Sequence, residues 1–148
     1  MRVLVKHRLR GDGRIWIDYT KTKVLRDTGG WYAVQSPSSL EDARVLYRPA
    51  QDLVVIEQSE EFLRVPFKDG EGTFTWEGRT YRIGSMALGE VRIHEGSRPV
   101  AQGWATTSGL RLEIVEPELL GLVRALAWGL ALRSEDLARD ARRLGGGG

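Results

Sequence analysis

The chain contains no cysteine and only two histidines. Without thiols there is no disulfide, no thiolate nucleophile and no zinc–thiolate centre. That absence fits an intracellular chain, where disulfides are rare, and cytoplasmic residence is the expectation. A large charge of one sign is also missing: 22 Lys and Arg face 20 Asp and Glu, for a formal net charge of +2. Proteins dedicated to nucleic acid usually carry a marked basic excess, so a specific nucleic-acid partner is not expected. The opening MRVLVKHRLR is charged but has no apolar stretch of the kind a secretory leader requires.

Phosphate-binding and nucleophile signatures are absent as well. Neither G-x-x-x-x-G-K-[ST] nor G-x-G-x-x-G occurs, and Gly70-Glu71-Gly72 does not replace them. Ser36, Ser38 and Ser39, and the GSMALG segment at 84–89, lack the G-x-S-x-G setting of an activated serine. His94 alternates with Glu90 and Arg92 on one strand face, but two potential ligands without a third do not make a metal site. Cross-strand ion pairing explains that face. The chain therefore reads as non-enzymatic, with no cofactor and no metal.

What is present is a series of short alternating segments followed by one apolar run. Ile15, Ile17 and Tyr19 alternate with Arg14, Trp16 and Asp18. Short strands fit 1–10, 23–26, 31–35 and 43–47. Leu53–Ile56 suits a strand buried on both faces, and Phe62–Pro66 suits one that its proline limits. Gln35–Glu41 is a polar loop. From Gly72 onward Phe74/Trp76, Tyr81/Ile83, Val91/Ile93, Val100/Gln102/Trp104 and Leu110/Leu112/Ile114 alternate between Gly-containing turns. Short strands at this spacing predict an antiparallel sandwich or barrel.

Pro117–Leu132, PELLGLVRALAWGLAL, is the exception. Proline suits a first helical position, and Glu116 and Glu118 favour the positive end of the helix dipole. Leu119, Leu122, Val123, Leu126 and Leu130 share one face, while Leu120, Trp128 and Leu132 point elsewhere. A helix apolar all round belongs in a core or a bilayer. At helical rise Leu119–Leu132 spans about 21 Å, short of the roughly 30 Å of hydrocarbon, so a core helix is expected and no transmembrane span. Gly121, Ala125 and Gly129 recur every fourth residue and leave a slim side for a close neighbour. Arg124 interrupts the run; it must reach a mouth of the fold or pair with a buried carboxylate. Ser134-Glu135-Asp136 resembles a fresh helix start, so the helix either kinks near Arg133 or leaves its sleeve there. Leu137, Ala141 and Leu144 continue an apolar stripe. One domain over 1–144 with a disordered glycine tail at 145–148 follows.

Many antiparallel strands followed by one apolar C-terminal helix is an uncommon order. FTWEGRTYRIG, VRIHEGSRPVAQGW and LRLEIVEPELLGLVRALAWGLAL, between residues 73 and 133, resemble the strand pairs, the hairpin and the last strand with core helix of the tubby C-terminal-like superfamily. That superfamily includes the LURP-one-related proteins and the phospholipid scramblases. The resemblance implies a closed β-barrel of about twelve strands around a central hydrophobic helix. An open β-sandwich, or a pleckstrin-homology-like barrel with a capping helix, is the alternative architecture. The resemblance also implies binding to anionic phospholipid headgroups through basic strand residues, which would place the protein peripherally at a membrane.

The arginines available for that role are Arg79, Arg82, Arg92, Arg98 and Arg111, since guanidinium forks suit phosphate. Glu77, Glu90, Glu95 and Glu113 lie among them, so a mixed-charge solvated surface is the competing reading. Lys6, Arg8, Arg10 and Arg14 form a second basic group near the N-terminus. A structural or adaptor role is the other functional expectation, with a protein partner docking on the stripe at 137–144 or on a sheet edge. A small-ligand barrel is a third; it would need a polar cavity containing His94.

Overall fold

Nearly every strand alternates a buried with an exposed side chain, and a single sheet closes on itself to place all the buried ones inside. The computed structural model describes residues 1–7, 12–35, 42–58, 61–106, 108–115, 119 and 122–145. The strands are β1 (Arg2–His7), β2 (Gly13–Ile17), β3 (Thr20–Arg26), β4 (Tyr32–Val34), β5 (Ala43–Arg48), β6 (Leu53–Gln58), β7 (Glu61–Lys68), β8 (Glu71–Trp76), β9 (Arg79–Ile83), β10 (Glu90–Glu95), β11 (Arg98–Thr106) and β12 (Gly109–Ile114). Each pairs antiparallel with its sequence neighbour, and β1 pairs with β12 to close the barrel. Closure removes exposed sheet edges. It also replaces the open sandwich and the capped barrel with a helix-filled one, and residues 1–50 supply the five strands that complete it.

The helix α1 runs from Val123 to Gly145 without a break. Leu122, Val123 and Ala125–Ala131 are all buried, so no face of this stretch meets solvent. Successive residues meet different walls of the barrel. Trp128 lies against His7 and Tyr32, Gly129 against Val45 and Val54, and Arg124 against Thr22. The helix therefore threads the barrel. It enters at the mouth bearing Met1 and Ile114 and leaves at the mouth bearing His7, the β3–β4 turn and the β5–β6 turn.

Two glycines make room for it. A Cβ on Gly13 would collide with the Trp128 indole, and one on Gly129 would lie 2.5 Å from a Val54 methyl. Ala125 continues the slim side, while Gly121 lies outside the described residues, as do Pro117, Glu116 and Glu118. The helix starts later than its proline suggests, after Leu119 and Leu122 have formed a turn in which the Leu122 N–H donates to the Leu119 carbonyl at 3.0 Å. Ser134 is an interior helical residue rather than a new cap. Exposure rises beyond Arg133, so α1 leaves the barrel unbroken at that point. Gly145 closes the helix, and 146–148 of the expected tail lie outside the described residues. So do 36–41 of the polar loop.

Pro66 does not end β7, which continues to Lys68. It ends a ladder instead. The Phe67 N–H donates to the Asp52 carbonyl on the β6 side, so the missing N–H of Pro66 faces β8. The β7–β8 pairing accordingly stops at Phe67↔Gly72 and Lys68↔Glu71. A proline is tolerated where a strand has an edge, and this seam, with two paired positions, comes close to one.

Candidate functional site

The interior of the barrel is apolar and its outside is charged, the reverse of a transmembrane barrel with its apolar outer band. No helix among the described residues is long and apolar enough to cross a membrane. Chemistry on this protein is therefore to be sought on the outer wall and at the mouths.

The five arginines proposed from sequence are not gathered into one site. Arg79 pairs with Glu95 at 3.7 Å, Arg98 bonds the other oxygen of the same carboxylate, and Arg92 bonds Glu90. Three of the five are thus tied to carboxylates. Arg82 lies on β9 opposite His94, and Arg111 on β12 opposite Trp104 and Leu4, with β10 and β11 between them. His94 faces outward beside Arg82 and not into a cavity, and the helix fills the interior. Among the described residues no group of three His, Asp or Glu is placed to hold a metal.

Register does assemble a different basic group. On the outer wall Lys6 of β1 stands directly opposite Arg14 of β2, which stands opposite Lys23 of β3. One step further from the mouth, Trp104, Arg111, Leu4, Trp16 and Lys21 form a second row across β11, β12, β1, β2 and β3. Three of the chain's four lysines are in these two rows. The outward positions of β1, β2 and β3 carry no carboxylate. Lys6 Nζ sits 5.6 Å from the centre of the Trp16 ring, which keeps the ammonium over an aromatic face. Trp104 is 58% exposed. Of the N-terminal group anticipated from sequence, Lys6 and Arg14 come together, while Arg8 and Arg10 lie outside the described residues. Lys21 and Lys23 were missed, because alternation gives each strand its outer face but not which strands lie side by side.

The exit mouth holds a second polar cluster. Arg133 is 2% exposed. Its Nε and Nη2 donate to the two oxygens of Asp52 at 2.8 and 3.0 Å, and its guanidinium lies 3.8 Å from the centre of the Phe67 ring. Nη1 finds no hydrogen-bond partner among the described residues. The Tyr47 hydroxyl donates to Asp52 at 2.9 Å. Burial works against the Asp52 charge, but the hydrogen bonds from Arg133 and Tyr47 and the nearby guanidinium outweigh it and hold the carboxyl below its ordinary value. Burial first, and then the bond to Asp52, push the Tyr47 phenol well above its usual range, so it remains a donor. On the β1 side His7 Nδ1 lies 3.5 Å from Glu135, which also accepts from Arg139 at 3.2 Å.

This is the mouth-and-carboxylate arrangement expected of Arg124, found nine residues later. Arg124 itself is half-buried and donates to the Thr22 hydroxyl at 3.3 Å, and burial pushes its guanidinium below the ordinary value. Tyr47–Asp52–Arg133 joins the β5–β6 turn to the helix where it leaves the barrel; its chemistry is that of a clamp. Leu137 packs against the core, which removes it from the stripe offered to a partner.

No family model, curated protein or solved structure matches the chain.

Proposed function

We propose that the protein is a tubby-like, non-enzymatic domain that binds anionic phospholipid surfaces through the outer wall of β12, β1, β2 and β3. The observation that carries the reading is the direct apposition of Lys6, Arg14 and Lys23 on neighbouring strands. Like charges placed opposite one another on a sheet destabilise it. Folding gives no reason for three in a row without an intervening acid; an anionic partner does. Lysine on a flexible stem suits a fluid array of headgroups, and tryptophan beside it suits the polar–apolar boundary of a bilayer. The closed barrel around a C-terminal helix supports the tubby-like likeness. The anionic lipid of a cell is concentrated in the cytoplasmic leaflet, and each lysine or arginine near such a surface contributes about 1 kcal/mol.

The test is sedimentation with phosphatidylcholine vesicles with and without phosphatidylserine. The protein is expected to sediment only with the anionic ones and to be released by salt. The triple variant K6E/R14E/K23E is expected to lose at least about a hundredfold in affinity, from three contacts of about 1 kcal/mol each. R79E/R98E, whose arginines are already occupied by Glu95, is expected to change little. Equal binding to neutral vesicles, or indifference to the triple variant, removes the reading.

A further inference from the structure

The basic wall does not end in a polar rim. Next to it, at the mouth where α1 leaves, the loop joining β9 to β10 holds Leu88 with 92% of its surface exposed. The loop is firmly fixed. Met86 is buried in the core, its carbonyl accepts the Gly89 N–H at 2.9 Å, and the Ser85 hydroxyl accepts the Ala87 N–H at 3.3 Å. Gly89 takes a positive φ of 78° and accepts the Ala105 N–H at 2.6 Å, which ties the loop to β11. Leu88 is therefore held outward by a built turn.

Its surroundings have a single direction. Ala105 follows Trp104, so the tip bearing Leu88 adjoins the strand that carries the exposed indole. Arg111 is opposite Trp104 on β12. The row nearest this mouth is Thr106, Gly109, Lys6, Arg14 and Lys23. Gly109 has no room for a side chain, since a Cβ would strike the Val5 carbonyl. A flat gap thus separates the apolar tip from the first lysine. Glu90 is the acid beside Trp104, and Arg92 holds it. From β10 round to β3 the order is an apolar tip, an interfacial tryptophan, then cations.

We infer that this rim is a bilayer-docking edge on which Leu88 enters the acyl boundary, Trp104 lies at headgroup depth, and Arg111, Lys6, Arg14 and Lys23 engage anionic headgroups. The inference rests on the lipid-binding reading above and adds to it an orientation and an inserted residue. Charge complementarity selects the occupant: an apolar side chain beside unneutralised cations fits an anionic bilayer, which offers hydrocarbon and negative charge within one side chain's reach. A protein partner would have to supply both from separate residues. Single-stranded nucleic acid would use Trp104 for stacking but has no use for Leu88 beyond the strand's end.

Because the chain has no cysteine, Leu88→Cys gives a single labelling site for an environment-sensitive dye on the full chain. Thr75→Cys, exposed on β8 near the opposite mouth, is the control. With phosphatidylserine-containing vesicles the dye at 88 is expected to shift to the blue and to be quenched by bromolipids, while the dye at 75 does neither. Leu88→Asp is expected to weaken sedimentation by about tenfold or more, from the lost burial of one leucine, with thermal unfolding unchanged. Co-sedimentation with an unshifted dye at 88 overturns the docking edge and leaves lipid binding standing. Absence of co-sedimentation overturns both, and so does preferential retention on single-stranded RNA.

Discussion

At the scale of single residues, the clamp at the exit mouth makes the sharpest claims. Arg133 is almost fully enclosed and its guanidinium is bonded by both oxygens of Asp52, with Tyr47 completing the carboxylate's bonds. Removing one partner leaves a buried charge uncompensated. Asp52→Asn is therefore expected to cost about 2–3 kcal/mol in chemical denaturation at neutral pH, below the roughly 3–5 kcal/mol of fully buried pairs, because the Asp52 side chain remains 34% exposed. The pH dependence has a definite sign. The folded-state carboxyl is held below its ordinary 3.8, so its contribution is complete above that value and is lost as pH falls through the folded one. The gap between parent and D52N should close on the acid side and nowhere else. A gap constant down to the acid limit would mean that Asp52 acts by packing alone. Gly129→Ala sets two known effects against each other. It gains about 1 kcal/mol of helix propensity and loses about 1–3 kcal/mol by overpacking against Val54. Net destabilisation is expected, relieved by adding Val54→Ala. A more stable G129A would show that the helix has slack in its sleeve.

At the scale of elements, much of the fold was legible. Phe74, Tyr81, Ile93, Leu112 and their neighbours alternate because one face of each strand must be buried, and alternation survives in the sequence. The helix was legible from its uninterrupted apolarity, and its slim side from Gly129. Its limits were not. Proline and two glutamates describe a helix start that falls outside the described residues, and regular helix is observed from Val123. Of the two outcomes open at Arg133, a kink or an exit from the sleeve, the exit is the one observed; sequence cannot show that Asp52, in a turn 81 positions away, arrives to meet it there. Pro66 was rightly seen as a limit, but on a ladder and not on a strand. That distinction is testable by hydrogen exchange. In β8 the N–H of Thr75 faces β7 beyond the last paired position, while that of Phe74 faces β9, where the ladder is complete. Thr75 should exchange well ahead of Phe74, and Val123–Ala131 of α1 should be among the slowest amides in the protein. Pro66→Val, which restores a donor toward the Thr73 carbonyl and lets the ladder run on, should slow Thr75. Equal protection on both sides of β8 would mean that the seam is closed in solution.

At the scale of the whole molecule, the net charge of +2 conceals how the charges are distributed. Arginines on β9, β10 and β11 are interleaved with glutamates that bind them, whereas Arg2, Lys6, Arg14, Lys21 and Lys23 share the outer wall of three adjacent strands. This segregation was not readable from the sequence, because it exists only once the register places Lys6 beside Arg14 and Arg14 beside Lys23. It leads to a prediction that total charge cannot imitate. The pair K6E/E61K reverses a charge on the proposed binding wall and compensates it where β7 begins, at the mouth opposite the docking rim, so the net charge remains +2. If association with anionic vesicles were driven by overall charge, this variant would bind as the parent does. If the local wall is responsible, it should bind at least about fivefold more weakly, since one favourable contact of about 1 kcal/mol is lost and a repulsive one is gained. Arg64→Glu on the outer face of β7 lowers the net charge but lies outside the wall, and 0.1 M salt screens distant charges; it should bind like the parent. The comparison of these two variants, by sedimentation at one fixed ionic strength, separates a surface built for an anionic partner from a protein that is merely slightly basic.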